Sequence, residues 1–383
     1  MEDLGVYVHI PFCKQKCLYC DFTSFAGNEK IQDTYIQALL KEITNWKKQN
    51  KDYSIETIYI GGGTPSYIDS KYIIEIVKMI KDFNKKSIEK DNNISITIEV
   101  NPGTVTKEKL EDYKTAGINR ISIGLQSCKD RLLREIGRIH DYEDFLETFS
   151  LARHLGFDNI NVDLMIGLPN QTIMDIKDSL ERLIELNPEH ISVYSLILED
   201  DTIMKKMVEE GVLILPDEEI ERQMYWYVKD FLELHGYKHY EISNFAKPGF
   251  ESQHNMNCWE QKEYIGFGIA AHSYIEDKRF CNISDMEKYI QNCNNGNFED
   301  NKIILEIQNR EDKINEYMIL GLRKIEGVSI QEFENIFNEN PIMVFRKELQ
   351  KLNNEGLILI DGDKIKLSNR GLDFANLVWE EFV

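Results

Sequence analysis

Six short runs rich in β-branched and aromatic residues alternate with segments of helical spacing in the first half of the chain. The runs span residues 6–12, 57–63, 96–102, 120–127, 159–169 and 190–198. Strands that alternate with helices predict a parallel sheet with crossover helices, and right-handed crossovers wrap such a sheet towards a barrel. We therefore expect an α/β fold with an incomplete (β/α)6 TIM-like barrel. A doubly wound sheet remains the alternative, because the strand order cannot be read from one sequence.

Beyond residue 215 this alternation ends. Residues 216–299 predict an α+β extension, which contains the segment HNMNCW at 254–259. Residues 300–383 begin with helix, turn and helix, and an Asp-Gly turn between the alternating strands of ILIDGDKIKL then predicts a hairpin. This succession is typical of a winged helix. The expected units are a barrel over 1–215, an extension over 216–299 and a winged-helix-like module over 300–383.

The chain is strongly acidic, with 45 Lys and Arg against 66 Asp and Glu and a net charge of −21. Such a field repels nucleic acid and anionic lipid, so neither is an expected partner. Residues 301–383 hold 11 basic and 15 acidic residues, a net charge of −4. We therefore expect the C-terminal module to be structural or to dock another protein. A winged-helix regulator with a metal-sensing barrel is disfavoured for the same reason.

The sequence contains neither a membrane span nor a signal peptide that we can identify. No apolar run approaches the ~20 residues that cross a bilayer. The acidic start, Met-Glu-Asp, lacks the basic and apolar regions of a signal peptide. We expect a cytoplasmic protein.

Three of the seven cysteines are crowded into C-x3-C-x2-C, as Cys13, Cys17 and Cys20. A disulfide framework is disfavoured, because the number is odd and the cytosol keeps thiols reduced. A structural zinc site usually needs four ligands, and no fourth Cys or His follows within thirty residues. An iron–sulfur cluster is normally held by four thiolates. Three would leave one iron open to a substrate or cofactor, as catalytic zinc sites leave a position open.

Polar or small residues stand at the carboxyl ends of the other predicted strands. They are Gly61–Thr64 after the second strand, Glu99 in the third, Gln126 in the fourth and Asp163 in the fifth. In a parallel βα barrel these strand ends meet on one face, where the active site lies. We therefore expect the cysteines and these residues to share one rim.

The motifs together resemble the radical S-adenosylmethionine (SAM) superfamily. The cysteine spacing follows YVHIPFC, GGGTP comes after the second strand, and DLMIGLPNQT stands at the fifth. These motifs match the group related to oxygen-independent coproporphyrinogen III oxidase, over almost the whole chain. The resemblance implies a 4Fe-4S cluster on Cys13, Cys17 and Cys20. SAM would chelate the remaining iron through its amino and carboxylate groups.

The same resemblance implies further SAM-binding residues. Tyr7 and Tyr19 flank the cluster, and the turn of Gly62, Gly63 and Thr64 would hold the methionine end of SAM, with glycines that let the backbone approach the ligand. A carboxylate at Glu99 suits a ribose hydroxyl. The other residues that match SAM-site positions of the family are Gln126, Arg138 and Asp163.

The family divides into oxidases and heme chaperones. The oxidases carry a further Cys two residues after the third cluster Cys, where this chain has Phe22. They also carry a long N-terminal extension. In this sequence the first predicted strand begins close to residue 5, so we expect that extension to be absent. Both departures favour the chaperones, which bind heme and pass it to apoproteins. The expected partners are therefore heme and heme-receiving apoproteins. The alternative is an active coproporphyrinogen III oxidase that decarboxylates its substrate through a 5′-deoxyadenosyl radical.

The heme chaperones usually show the motif H-N-x-x-Y-W, and HNMNCW departs from it at one position. Cys258 replaces the tyrosine, while His254 and Trp259 are kept. The resemblance implies His254 as the leading axial ligand of heme. On a helix Cys258 would face the same way as His254, so its thiolate is the alternative axial ligand, since both histidine and cysteine thiolate hold heme iron. Trp259 could lie against the porphyrin.

Overall fold

The structure, a computed structural model, describes residues 2–27, 29–50, 53–84 and 94–383. The first half contains β1 (Glu2–Ile10), β2 (Phe12–Cys13), β3 (Phe25–Ala26), α1 (Gln32–Gln49), β4 (Tyr53–Gly62), α2 (Ser70–Lys81), β5 (Ser95–Val100), α3 (Lys107–Ala116), β6 (Arg120–Gln126), α4 (Asp130–Glu135), α5 (Tyr142–His154), β7 (Ile160–Ile166), α6 (Ile173–Leu186) and β8 (His190–Ser195).

The second half has shorter strands. It contains α7 (Ile203–Glu209), α8 (Glu218–Leu234), β9 (Lys238–Glu241), β10 (Asn244–Ala246), α9 (Gln253–Trp259), β11 (Tyr264–Phe267), β12 (His272–Ile275), β13 (Lys278–Asn282), α10 (Met286–Asn295), β14 (Lys302–Ile307), α11 (Arg310–Gly321), β15 (Val328–Ser329), α12 (Ile330–Phe337), α13 (Pro341–Val344), α14 (Arg346–Asn354), β16 (Ile358–Asp361), β17 (Lys364–Leu367), α15 (Asn369–Asp373) and α16 (Ala375–Trp379).

The crossover helices begin and end at residues that cap helices well. The Thr106 hydroxyl accepts a hydrogen bond from the Lys109 amide at the start of α3. That helix ends at Gly117, whose φ of 99° is the left-handed conformation that glycine tolerates best. Thr172 and Asp175 form a capping box at the start of α6. Local sequence therefore fixes the positions at which the chain turns back to the sheet.

The predicted strands β1, β4, β5, β6, β7 and β8 are neighbours in chain order, and all pair in parallel. A doubly wound sheet reverses its strand order at one point, so the incomplete barrel is confirmed. Within the described residues β1 and β8 do not pair with each other. The second neighbour of β1 is β11, and that of β8 is β10.

The segment that follows the barrel in the sequence adds strands to both edges of the barrel sheet. Strands β10 and β9 continue it beyond β8, and β11 to β14 continue it beyond β1. Phe245, Phe267 and Tyr289 of this segment pack into the same hydrophobic core as the barrel strands. The division at residues 215 and 299 stays a prediction, and the sheet itself continues across both positions.

The C-terminal module has a core of its own, built from residues between Ile314 and Phe382. Strands β15, β17 and β16 form its sheet beside α11, α12 and α14. The predicted hairpin pairs Asp361 with Lys364, and Gly362 takes a φ of 59° in the turn. These elements confirm the winged-helix-like arrangement.

No helix in the described part of the chain combines the length and the apolar character that a membrane crossing requires.

Candidate functional site

A cavity of about 390 Å³ lies at the carboxyl ends of the parallel strands. Nearly all the side chains predicted for the cofactor site line it. These are Cys13, Cys17, Tyr19, Cys20, Gly62, Gly63, Thr64, Glu99, Gln126, Arg138 and Asp163. Tyr7 and His254 lie elsewhere. The parallel order of the strands brings the lining residues together from distant positions in the sequence.

The cysteines enter the cavity from β2 and the loop that follows it. Cys13 is buried, whereas Cys17 and Cys20 are partly exposed. The amide of Leu18 donates to the Ile136 carbonyl at 3.1 Å, and the Leu18 carbonyl accepts from the Met204 amide at 3.0 Å. The cysteine loop is thus fastened to two other segments of the barrel rim.

The three cysteines of the predicted cluster site line one cavity. In the described ranges no three His, Cys, Asp or Glu side chains converge closely enough to hold one metal ion. A 4Fe-4S cluster attaches each thiolate to a different iron, so its cysteines need to line one cavity without meeting at a point. Arg138 supports this use of the site. Its guanidinium donates to Cys17 Sγ at 3.8 Å, where it would offset the charge of a thiolate.

The glycine turn after β4 packs directly against the cysteine strand. Gly62 has a φ of 112°, and a Cβ there would lie 2.6 Å from the ring of His9. A Cβ on Gly63 would lie 3.0 Å from Cys13 Sγ. Both glycines are therefore needed for the turn to approach its own protein neighbours. The sequence predicted them for a different reason, the approach of the backbone to a ligand.

Two carboxylates share the cavity wall. Glu99 accepts hydrogen bonds from the Tyr59 hydroxyl at 2.9 Å and the Gly62 amide at 3.1 Å. Asp163 accepts one from the Asn161 side chain at 2.7 Å. Burial, followed by the charge of Asp163, raises the pKa of Glu99 to about 7, and burial raises the pKa of Asp163 as well. Such paired acceptors suit the hydroxyl groups of a ligand.

Arg138 and Gln126 occupy the rim between β6 and the cysteine loop. Arg138 donates to the Gly124 carbonyl at 2.9 Å and to the Asn101 side chain at 3.2 Å. Gln126 has a positive φ of 71°, next to a register shift between β6 and β7. Positive φ is uncommon in non-glycine residues, and such irregularities often re-aim a side chain beside an active site.

Tyr7 lies deeper in the barrel than the predicted SAM contacts. Its hydroxyl is 3.0 Å from His9 Nδ1, and its ring stacks on Tyr59 with centroids 6.3 Å apart. Burial and then the charge of Glu99 raise the pKa of Tyr7, so this tyrosine lies next to a carboxylate of the cavity wall. Its role as a SAM contact stays a prediction.

His254 also lies inside the barrel, below the cavity. Its Nδ1 is 2.8 Å from the Thr57 hydroxyl, and its ring stacks on Tyr59 with centroids 5.3 Å apart. Thr57 precedes Gly61 by four residues of β4, which is about 13 Å along a strand. His254 thus lies below the glycine turn, and Tyr59, whose hydroxyl donates to Glu99, stands between it and the cavity wall.

The rest of the HNMNCW segment turns towards the C-terminal module. The Arg323 guanidinium lies 4.4 Å from the ring centroid of Trp259 and 4.8 Å from that of Trp379. Trp259 therefore packs on protein, where the sequence suggested a porphyrin. Burial raises the pKa of the Cys258 thiol to about 11.

Sequence reasoning missed two residues of the cavity wall. Asn101 donates to the Thr64 hydroxyl at 2.8 Å, and Tyr194 donates to Gln126 Oε1 at 2.9 Å. Both lie in predicted strands, Asn101 in the third and Tyr194 in the sixth, and both are at the carboxyl ends of the observed strands β5 and β8. The carboxyl ends of parallel barrel strands meet on one face, and this argument, which identified the other rim residues, also applies to Asn101 and Tyr194.

Comparisons with known proteins agree with this geometry. Residues 7–183 match the model of the radical SAM superfamily, and residues 308–374 match that of the HemN C-terminal domain. The chain is 38% identical over 381 residues to the heme chaperone HemW of Bacillus subtilis, covering 99% of each chain. It is 34% identical to the HemW of Lactococcus lactis, covering 99% of this chain and 97% of that one.

The solved structure of coproporphyrinogen III oxidase (HemN) from Escherichia coli superposes with a TM-score of 0.85. The match covers 100% of this chain and 90% of that one at 24% identity, and it shows a shared fold. Members of the radical SAM superfamily hold a 4Fe-4S cluster and SAM, and the likeness to the relatives extends over their full length. The chain belongs to the radical SAM superfamily, in the family of the heme chaperones HemW.

Proposed function

We propose that this protein binds heme and passes it to apoproteins. The observation that carries the proposal is the identity of 38% and 34% with two heme chaperones, over 99% of this chain in both cases. Phe22 agrees with it, because it stands where the oxidases of the family carry a further cysteine.

His254 is the residue we propose as the axial ligand of heme. When its Nδ1 carries the proton and donates to Thr57, Nε2 keeps its lone pair for a metal. Within the described residues Thr57 is the hydrogen-bond partner of this ring, and none is found at Nε2. Burial lowers the pKa of His254 to about 4, so the imidazole is neutral near pH 7. A neutral ring held through its other nitrogen is the usual state of a metal-binding histidine.

We assign the cavity at the strand ends to the cluster and SAM. Cys13, Cys17 and Cys20 would hold the cluster, and SAM would occupy the space beside the Gly62–Thr64 turn. The cluster supplies single electrons when it is bound. The residues of the chain orient the ligands: Glu99 and Asp163 accept from hydroxyl groups, and Arg138 offers donors to a carboxylate.

The experiment that tests the proposed function is a hemin titration of the purified protein, followed by absorbance in the Soret region. We expect saturable binding that His254→Ala weakens by about tenfold or more, as the loss of one metal ligand implies. Thr57→Val should weaken it by a smaller factor, since it removes only the partner of Nδ1. His235→Ala is the matched control, because His235 is exposed on the surface.

Two outcomes would contradict the proposal. If wild-type protein does not bind hemin, the chaperone function is wrong. If His254→Ala and His235→Ala titrate alike, another residue binds the iron. Turnover of coproporphyrinogen III by protein supplied with the cluster, SAM and a reductant would instead favour the oxidase.

A further inference from the structure

Asn101 joins two residues of the cavity wall that come from different parts of the barrel. Its Nδ2 donates to the Thr64 hydroxyl at 2.8 Å, and its Oδ1 accepts from Arg138 Nη1 at 3.2 Å. Thr64 follows β4, whereas Arg138 follows α4. The proposed function uses Thr64 and Arg138 but gives no role to Asn101, which lies between them.

The backbone of Asn101 is held on both sides. Its amide donates to the Ser66 hydroxyl at 3.2 Å. Its carbonyl accepts from the Thr104 hydroxyl at 2.6 Å and from the Thr104 amide at 3.1 Å. The side chain of Asn101 therefore starts from a fixed point at the carboxyl end of β5.

The hydrogen bonds continue from both partners of Asn101 to cysteine sulfurs. The Thr64 hydroxyl donates to Cys13 Sγ at 3.5 Å. Arg138 Nη1 donates to Cys17 Sγ at 3.8 Å. Asn101 is thus one residue removed from two of the three proposed cluster ligands.

The chemistry of the groups fixes the direction of each bond in this path. A cysteine that holds iron is a thiolate and can only accept, so Thr64 donates its one proton to Cys13 and must accept from Asn101. Arginine has no acceptor, so the amide oxygen of Asn101 must face Arg138. Both ends require the same orientation of the amide. Aspartate has a similar size but no donor, and leucine has neither a donor nor an acceptor.

The Arg138 guanidinium is also held at its other terminal nitrogen. Nη2 donates to the Gly124 carbonyl at 2.9 Å. The guanidinium is planar, so the Gly124 carbonyl and the Asn101 oxygen together fix its plane. Removal of the Asn101 oxygen would leave Nη1 free to turn away from Cys17.

Donors that point at the sulfurs influence how readily a cluster takes up an electron. Hydrogen bonds to the sulfurs are among the factors that set the reduction potential of an iron–sulfur cluster. A reduced cluster carries one more negative charge than an oxidised one, so N–H and O–H donors favour the reduced form.

We propose that Asn101 is a positioning residue that raises the reduction potential of the cluster. Through Thr64 it directs one donor to Cys13, and through Arg138 it directs a second donor to Cys17. The inference rests on the proposed three-cysteine cluster and is independent of heme binding. The electron comes from a chemical reductant, and no covalent bond of the three positioning side chains changes.

A redox titration of the full-length protein tests the proposal, after anaerobic reconstitution with iron and sulfide and in the absence of SAM. Electron paramagnetic resonance measures the reduced cluster. For Asn101→Leu we expect the ratio of reduced to oxidised cluster at a fixed potential to fall about tenfold, the usual effect of losing a hydrogen bond to a charged group, which is about 59 mV for one electron. Asn101→Asp should also lower the potential, because the Thr64 proton turns to the new carboxylate and a negative charge is added.

Asn119→Leu is the matched control. The Asn119 side chain donates to the Ile94 carbonyl at 2.8 Å and accepts from the Ile96 amide at 2.9 Å, at the other end of β5. Its replacement removes two hydrogen bonds but touches no cysteine, so the potential should stay at the wild-type value. Iron analysis and thermal melts show that each variant is loaded and folded. If Asn101→Leu holds no cluster, Asn101→Asp, which keeps the size of the side chain, provides the test.

Thr64→Val distinguishes a positioning role from a general loss of packing. Because Asn101 acts in part through Thr64, the double variant Asn101→Leu/Thr64→Val should shift the potential by less than the sum of the two single shifts. Additive shifts would overturn the path through Thr64.

A wild-type potential in both Asn101 variants would overturn the proposal, and so would an equal shift in Asn119→Leu. If the wild-type protein takes up no cluster, the cluster assignment and this proposal are wrong together. None of these outcomes bears on heme binding, which the hemin titration measures separately.

Discussion

Glu99 accepts hydrogen bonds from two donors, and its pKa is nevertheless raised. Tyr59 and the Gly62 amide stabilise its charged form, yet burial and Asp163 outweigh them and raise the pKa to about 7. The ordinary value is 4.5, so the folded protein holds this proton more tightly than the unfolded chain. The stability that Glu99 contributes is therefore fully present below pH 4.5 and is lost as the pH rises through about 7.

Glu99→Gln should remove this pH dependence. Between pH 5 and pH 8 we expect the free energy of unfolding of wild type to fall relative to the variant. The difference should be on the order of 2 kcal/mol, less than the full shift implies, because the carboxylate opens onto a cavity. Urea denaturation at a series of pH values measures it. Parallel curves for the two proteins would show that Glu99 titrates normally.

Cys17→Ala should abolish the iron–sulfur cluster. After anaerobic reconstitution we expect about four irons per chain in wild type and a small fraction of that in the variant. Iron analysis and visible absorbance give the measurement. Cys281→Ala is the control, because Cys281 lies on β13, away from the rim. A full iron load in Cys17→Ala would refute the assignment of the cluster.

At the scale of elements, α9 joins the barrel to the C-terminal module. Its first turn places His254 against Thr57 and Tyr59 in the barrel. Its last residue, Trp259, packs on Arg323 of the module. The same Arg323 also lies against Trp379. The helix that carries the proposed heme ligand is thus held at both ends, and its mobility depends on the module.

Arg323→Met should loosen the end of α9. Methionine keeps most of the packing but removes the cation from between the two rings, a loss of roughly 1 kcal/mol per ring. We expect faster amide hydrogen exchange in residues 253–259, because local opening becomes easier. Arg346→Met is the control at an exposed position. Unchanged exchange in the Arg323 variant would mean that other contacts hold α9.

At the scale of the whole molecule, residues 216–307 and the C-terminal module differ in how they depend on the barrel. Strands β10 and β11 pair with β8 and β1, so the extension shares the sheet of the barrel. The module instead closes a core of its own between Ile314 and Phe382. We therefore expect the extension to need the barrel in order to fold, and the module to fold without it.

Residues 308–383 expressed alone should fold, with helical circular dichroism and a cooperative thermal transition. We expect a lower melting temperature than for the module in the whole chain, because Trp226 and Ile242 no longer pack against it. Residues 238–307 are the matched control and should remain unfolded, since their strands lose β1 and β8 as partners. A fragment 308–383 without a cooperative transition would show that its core is insufficient.

The sequence alone determined the barrel and most of its rim. Alternation of apolar runs with capped helices is a local signal, and parallel strands in chain order necessarily bring their carboxyl ends to one face. The sequence therefore places Cys13, Glu99, Gln126 and Asp163 on one rim. The same argument about strand ends applies to Tyr194 in the sixth predicted strand, although this residue was not among the predicted rim residues.

Only the tertiary structure decided which distant elements meet. The parallel pairing of β11 with β1 joins residues more than 250 positions apart, and nothing in either strand specifies that partner. The placement of His254 beside Thr57, 197 residues away, follows from that pairing. Local periodicity fixes what a segment becomes, but its neighbours are fixed by the packing of the whole chain.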